Sequence, residues 1–364
     1  MNAGSSAPEV VETAAEAARC ERSPLIVLEV LRDFLDDQDL GAGPVRVSRI
    51  GEGGGSNFSF LVERRDARYV LRRPPRPPLP PTAHDVVREA RLQRALEPLG
   101  IRVPRIRAVC EDPSLLGVPF YVADFIEGFV VTSELPRGLD EEAARGRLGA
   151  DLVDVLIEIH AADVSSPALA PLARPGSYLE RQVRRFSGLW EVNATRALPI
   201  VERVGERLYA SLPEPLGPVV VHGDYRLGNM IVALERPERI VAVLDWEMGA
   251  IGDPRADVGY LLATYSEPGG APSPLGTSPV TALPGFPTRE ELVARYAERS
   301  GIQLDDLPWF EALALWKATV FCEAIYGRFI RGELPAQDAR AARFEQIVPA
   351  LAATAAGRLE SIGA

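Results

Sequence analysis

The chain has 364 residues, 46% of them hydrophobic and 25% charged, a length that fits two lobes or two domains and a composition that excludes wholesale disorder. Its formal net charge of −11 excludes a general nucleic-acid binder, which needs a basic face to neutralise phosphates. The three cysteines (Cys20, Cys110, Cys322) lie far apart and only three histidines occur, so neither a disulfide framework nor a zinc site is expected, and a reducing compartment, the cytoplasm, fits. The first 23 residues carry no secretory pattern, and apolar stretches such as 24–28 and 218–221 are far too short to span a membrane, so no membrane partner is expected. Of the 40 basic residues only Lys317 is a lysine, so sites that usually employ lysine must here use arginine.

Residues 1–23 read as a loose or helical leader. Residues 24–35 place Leu25, Leu28, Leu31 and Leu35 at helical spacing. Strand patterns follow at 45–50, 58–62 and 69–73. Six prolines within residues 74–81 exclude regular helix or central strand. A helix is predicted over 84–96, and strands over 102–109 and 118–125. The texture then changes. Helical spacing covers 141–162 and, with interruptions, 177–211. Short strands are predicted at 218–221, 230–233 and 240–244, then a long Pro/Gly/Ser-rich loop at 266–287 and three closing helices near 289–300, 309–331 and 335–359. The pattern is α+β, with a small β-rich lobe carrying one helix over 24–125 and a larger, mainly helical lobe over 126–364. The strand–helix alternation of a doubly wound sheet is missing.

The densest polar cluster is Val219-Val220-Val221-His222-Gly223-Asp224-Tyr225-Arg226-Leu227-Gly228-Asn229, followed by Asp245 after the apolar run Val241-Ala242-Val243-Leu244. Each carboxylate directly follows a predicted strand, where a rigid scaffold can hold a catalytic group. An aspartate five residues before an asparagine matches the kinase catalytic loop. There the aspartate accepts the substrate hydroxyl proton, the asparagine holds Mg²⁺, and a second aspartate one hairpin later holds Mg²⁺ against the phosphates. Taken singly, such residues cap turns. His222 reads as a brace for the loop, His160 as a satisfied core residue, and His84 as a helix start.

Upstream, Gly51-Glu52-Gly53-Gly54-Gly55-Ser56 lies between two predicted strands. A strand–loop–strand setting suits a phosphate-covering loop, since glycine lets backbone approach phosphate closely; a glycine-rich hairpin turn gives the same pattern. In Tyr69-Val70-Leu71-Arg72, Arg72 stands where a kinase has its lysine, and Glu89 on the next helix is its expected partner; an exposed arginine and a solvated glutamate are the plain alternative.

In this order, Gly51 to Asn57, Arg72, Glu89, the His222-Gly223-Asp224 loop with Asn229, Asp245-Trp246-Glu247, Gly252-Asp253-Pro254 and Asp257 resemble the aminoglycoside phosphotransferase family, which has a bilobal protein-kinase-like fold. The similarity covers about residues 40–262. Gly54-Gly55-Ser56-Asn57, Tyr69-Val70-Leu71-Arg72-Arg73-Pro74-Pro75, Val118-Pro119-Phe120-Tyr121-Val122 and His222-Gly223-Asp224-Tyr225-Arg226-Leu227-Gly228-Asn229 look most like the branch related to the phosphotransferase domain of certain acyl-CoA dehydrogenases. The resemblance implies that Asp224 is the catalytic base, Arg226 a γ-phosphate contact, and Asn229 and Asp245 the Mg²⁺ ligands. It implies that His222 and Asp257 support the loop. It places ATP or GTP against Gly51, Gly53, Gly54, Gly55, Ser56, Asn57, Arg72, Glu89 and the backbone of a hinge bounded by Asp124 and Ile126. Arginine at 72 departs from the pattern; it keeps the charge and grips phosphate bidentately, but is larger than lysine.

The expected partner is a small-molecule hydroxyl acceptor. Residues 174–208 hold seven arginines and four glutamates, and Arg181, Arg184 and Arg185 share one face at three/four spacing. That face suits an anionic acceptor, a hydroxyacyl thioester of coenzyme A or a hydroxy acid; it also reads as a solvated arginine face. The alternatives are an antibiotic phosphotransferase and a nucleotide-binding pseudokinase. Acceptor identity, ATP versus GTP and oligomeric state stay open.

Overall fold

A computed structural model describes residues 8–51, 57–79, 84–333 and 340–363. The chain divides into two compact units, 1–126 and 127–364.

In the first unit, β1 (Val10–Val11), α1 (Ala14–Ala17), β2 (Ile26–Val27) and α2 (Leu28–Asp37) precede β3 (Arg46–Ile50), β4 (Phe58–Glu63), β5 (Arg68–Arg73), α3 (Val86–Leu96), β6 (Ile106–Cys110), α4 (Pro113–Leu116) and β7 (Phe120–Asp124). The expected leader therefore contains a strand that pairs in parallel with β2, and a helical turn closed by a Thr13/Glu16 capping box. The helical spacing of residues 24–35 begins as strand at Ile26–Val27 and becomes helix only at Leu28.

Strands β3-β4-β5-β7-β6 form an antiparallel sheet in that order. Their two-residue period sorts the side chains between faces. Phe60, Val62, Leu71, Phe120 and Val122 pack with Leu31 and Leu35 of α2. Tyr121 and Ala123 pack on the other side with Val86 and Ala90 of α3. The sheet thus carries a helix on each face, where the sequence reading expected one. Arg72, next to Leu71, faces α3.

The second unit holds β8 (Phe129–Val130), α5 (Glu142–His160), α6 (Tyr178–Asn193), α7 (Pro199–Ala210), β9 (Val219–Val221), β10 (Met230–Val232), β11 (Ile240–Val243), β12 (Ala250–Gly252), α8 (Arg255–Thr264), α9 (Arg289–Ser300), α10 (Leu307–Ile330) and α11 (Arg340–Glu360). Among the described residues of this unit, five short strands stand where three were expected. β8 joins β10 and β11, and β12 pairs antiparallel with β9. Both added strands are two or three residues long, below the length at which alternation is readable. The core gathers around α10, whose Trp309, Phe310, Leu313 and Trp316 are buried with Phe186 and Trp190 of α6.

The loop at 266–287 is tied down. Ser273 Oγ donates to the Ala263 carbonyl at 2.6 Å, and the Ser266 N–H donates to Thr281 Oγ1 at 2.9 Å. Arg145 of α5 donates to the Pro284 carbonyl at 2.5 Å. No helix among the described residues is long and apolar enough to cross a membrane.

Candidate active site

The loop after β9 is held from three sides. From α8, Asp257 accepts the His222 and Gly223 N–H groups on its two oxygens, at 2.6 and 2.7 Å. The His222 Nδ1 accepts from the Asp224 N–H at 3.2 Å, so its Nε2 donates to the Leu244 carbonyl at 2.8 Å. These partners assign the neutral Nε2–H tautomer. Gly223 sits at φ 84°, and a Cβ there would lie 2.9 Å from the Met248 carbonyl oxygen, so the position requires glycine.

Asp257 is fully buried. Burial alone would push its carboxyl up, but the hydrogen bond and charge interaction with His160 outweigh that and hold it below the usual carboxylate range. His160 is itself fixed, with Nε2 3.3 Å from Asp257 and Nδ1 2.6 Å from the Tyr296 hydroxyl.

Asp224 collects donors. Asn229 Nδ2 donates to its Oδ2 at 2.7 Å and to its main-chain carbonyl at 2.9 Å, and Arg226 Nε reaches Oδ1 at 3.3 Å. On α8, burial first, and then the charge of Asp224, push the Tyr260 phenol well above its ordinary value. Tyr260 was missed in the sequence. Its spacing of three residues from Asp257 on one helix was the available signal.

With its amide nitrogen turned to Asp224, Asn229 keeps Oδ1 as its acceptor atom. Asp245 is brought in by the peptide before it: the Leu244 N–H donates to the Asn229 carbonyl at 2.8 Å, while the Leu244 carbonyl takes the His222 proton. Asp245 has left-handed backbone, φ 66° and ψ 59°, a conformation costing about 1–3 kcal/mol for a residue with a Cβ. The neighbouring Trp246 locks the turn, donating from Nε1 to the Val243 carbonyl at 3.0 Å with its ring 4.6 Å from that of His222. Among the described residues no group of three or more His, Cys, Asp or Glu forms a metal cage. An amide oxygen and a carboxylate fit Mg²⁺, which takes one or two protein ligands and fills its octahedron with water and phosphate oxygens.

In the first unit, Arg72 Nε lies 3.1 Å from Glu89 Oε2. Tyr121, directly across the ladder from Arg72, donates to Glu89 Oε1 at 3.0 Å, and Gln93 donates to Tyr121 at 3.3 Å. Tyr121 and Gln93 were also missed; only the strand register places them here. Gly51 has φ 82° at the end of β3 and begins the connection to β4. Gly53, Gly54, Gly55 and Ser56 lie outside the described residues. Asn57 is buried with its Oδ1 3.1 Å from His84 Nδ1. In the segment expected as the hinge, the Asp124 N–H donates to the Arg105 carbonyl at 2.9 Å and its carboxylate takes a two-pronged bond from Arg107 at 2.6 and 2.8 Å. The backbone of Ile126 makes no hydrogen bond among the described residues.

The three α6 arginines do not act as one group. Arg181 donates to the carbonyls of Pro175 and Gly176 at 2.7 and 2.6 Å. Arg184 pairs with Glu180 at 2.6 Å and donates to the Tyr209 hydroxyl at 2.7 Å. Arg185 points elsewhere, with its guanidinium 5.9 Å from the Phe186 ring centroid. Side-chain length and local carbonyls, invisible in helical spacing, separate the three.

The model of the phosphotransferase enzyme family matches residues 47–313, well over half of the chain. Acyl-CoA dehydrogenase family member 10 of Mus musculus is 33% identical over 80% of this chain and 27% of its own length. Acyl-CoA dehydrogenase family member 11 of Rattus norvegicus is 31% identical over 78% of this chain and 37% of its own. The chain thus spans about a third of the length of these curated relatives. The crystal structure of a candidate aminoglycoside phosphotransferase from Ralstonia eutropha JMP134 superposes with TM-score 0.75 at 26% identity, covering 92% of this chain and 98% of that one. This chain belongs to the phosphotransferase enzyme family, with its α+β, protein-kinase-like fold.

Proposed function

We propose that the protein transfers the γ-phosphoryl group of ATP or GTP, with Mg²⁺, to the hydroxyl of a small acceptor, a hydroxy acid or a hydroxyacyl thioester of coenzyme A. The observation that carries this reading is the Asp224 carboxylate, clamped by Asn229 at 2.7 Å in a loop that also ties in Asp245. In the first unit, Gly51, the loop residues up to Asn57, and Arg72 with Glu89 as its counter-ion take the phosphates, and Ile126 offers backbone groups to the base. Asp124 has its N–H and its carboxylate in use, so its part at the hinge falls to its carbonyl. Asn229 Oδ1 and Asp245 hold Mg²⁺, which when bound neutralises phosphate charge.

The acceptor oxygen attacks the γ-phosphorus as the bond to the β-bridging oxygen breaks, and Asp224 accepts the hydroxyl proton. Arg226 draws on the transferring oxygens. Phosphoryl transfer needs little beyond such positioning and charge neutralisation. The names of the curated relatives support an acyl acceptor. The name given to the Ralstonia protein favours a second reading, an antibiotic acceptor. The cysteines are unbridged, in keeping with a cytoplasmic setting.

The test is transfer of label from γ-labelled ATP and GTP to a panel of hydroxy acids, hydroxyacyl-CoA thioesters, aminoglycosides and macrolides. Label on the acyl compounds is the expected result. Label confined to the antibiotics would move the acceptor to the second reading. Nucleotide binding with no label on any acceptor would contradict the activity.

A further inference from the structure

His84 reads in the sequence as the start of a helix, and α3 does begin just after it, at Val86 with Asp85 as its N-cap. The capping bond is made by Asp85, whose carboxylate accepts the Arg88 N–H at 2.9 Å. The imidazole of His84 is turned to another partner: its Nδ1 donates to Asn57 Oδ1 at 3.1 Å, across 27 residues of sequence. An amide oxygen only accepts, so Nδ1 carries the proton of this bond. Asn57 is 8% exposed and stands at the exit of the glycine-rich connection, immediately before β4.

The backbone of His84 is left-handed, at φ 61°. Among the described residues, Asp39 and Asp245 are the other non-glycine positions in this conformation. Asp39 directly follows the C-cap of α2, where left-handed closure is ordinary. Asp245 belongs to the candidate active site. Strained backbone persists where its surroundings over-determine it, and at His84 they do. Its carbonyl accepts the Val86 N–H at 2.9 Å, and Val86 is buried with Ala90 of α3 and with Tyr121 and Ala123 of β7. One turn into α3, the Glu89 N–H donates to the Asp85 carbonyl at 3.1 Å, and the Glu89 carboxylate meets Arg72 at 3.1 Å. Ser59, just past Asn57 on β4, lies opposite Arg72 in the ladder. The His84–Asn57 bond therefore closes a ring: from Asn57 along β4 to Ser59, across to Arg72, through Glu89 down α3 to His84, and back.

We propose that His84 is a positioning residue for nucleotide binding: through Asn57 it holds the exit of the glycine-rich connection in register with the Arg72–Glu89 pair, so that connection and guanidinium meet the phosphates as one unit. This rests on the phosphotransfer reading above and adds to it a residue that touches no phosphate. A helix start alone needs only the backbone turn at position 84, which glycine supplies better than histidine. The positioning role needs the side-chain donor.

That difference sets the test, made on the full chain by calorimetric binding of AMP-PNP and GMP-PNP with Mg²⁺, against the monophosphates AMP and GMP. His84→Gly keeps the left-handed turn and removes the imidazole. His84→Asn keeps a donor near the place of Nδ1, in a residue that tolerates the turn. For the triphosphate analogue that wild type binds, His84→Gly should weaken binding about fivefold, the size of one lost hydrogen bond, with the matching monophosphate unchanged. His84→Asn should stay within about twofold of wild type. Asn57→Ala reads the same bond from its other end: it should weaken the same binding, and adding His84→Gly to it should cost less than about a further twofold. Wild-type affinity in His84→Gly, an equal loss on the monophosphate, no recovery in His84→Asn, or full additivity with Asn57→Ala would each overturn the assignment. Wild type binding neither analogue would strike the phosphotransfer reading, and this proposal with it. Tight binding by wild type and variants alike would leave that reading standing and remove this one.

Discussion

The loop after β9 and the middle of α10 treat buried charge in opposite ways. Around Asp224 every charge is met: Asp257 takes two backbone N–H groups and His160, and Asp224 takes Asn229 and Arg226. Lys317 has an aromatic ring and no counter-ion among the described residues. The first arrangement fixes a geometry at little net cost, because each desolvated group is bonded. The second costs stability, because a cation over an aromatic face recovers only part of the hydration it lost. Replacing a bracing residue should therefore destabilise the protein, and replacing Lys317 should do the reverse.

The largest effect is expected at Asp257. Asp257→Ala leaves the buried N–H groups of His222 and Gly223 without acceptors, at about 1–3 kcal/mol each, so loss of roughly 2–6 kcal/mol is predicted by denaturant unfolding. Retention of wild-type stability would mean that the loop is held by something else. The carboxyl is lowered on folding, so its contribution is complete above the ordinary aspartate range and is lost as the pH falls through its lowered value.

Next comes Lys317→Met. The wild-type ammonium falls from 10.5 to about 8 on folding, so the penalty is complete below about pH 8 and is relieved as the pH rises towards 10.5. The variant should be more stable than wild type at pH 7 by on the order of 3 kcal/mol, with the difference vanishing above pH 10.5. A destabilised variant at pH 7 would place Lys317 among the bracing residues. The smallest effect is expected at Arg184→Gln. Its bond to Glu180 is an exposed pair four residues apart on one helix, worth about 0.3–0.5 kcal/mol, and acceptor KM should not change at low salt.

Legibility in the sequence followed sequence distance. The loop from His222 to Asn229 and the later Asp245 were readable because their chemistry is written in one short spacing after apolar runs. Arg72 and Glu89 were readable because strand and helix periods put one side chain on each facing surface. Tyr121 was not, because its place opposite Arg72 depends on strand register; Tyr260 carried only the weak signal of helical spacing from Asp257. The α6 arginines show the opposite failure. Helical spacing grouped them correctly on one face, yet the Pro175 and Gly176 carbonyls and the Tyr209 hydroxyl divided them. Lys317 stood out only as a compositional oddity, since burial without a counter-ion is a property of the packed core.

The most direct test of the central claim compares Asp224→Ala with wild type for both phosphoryl transfer and Mg²⁺-nucleotide binding. If Asp224 receives the hydroxyl proton, kcat should fall by about 10²–10⁴-fold with nucleotide affinity unchanged within a factor of two or so. Wild-type turnover in the variant would contradict the assignment of the base, and with it the mechanism built on this loop.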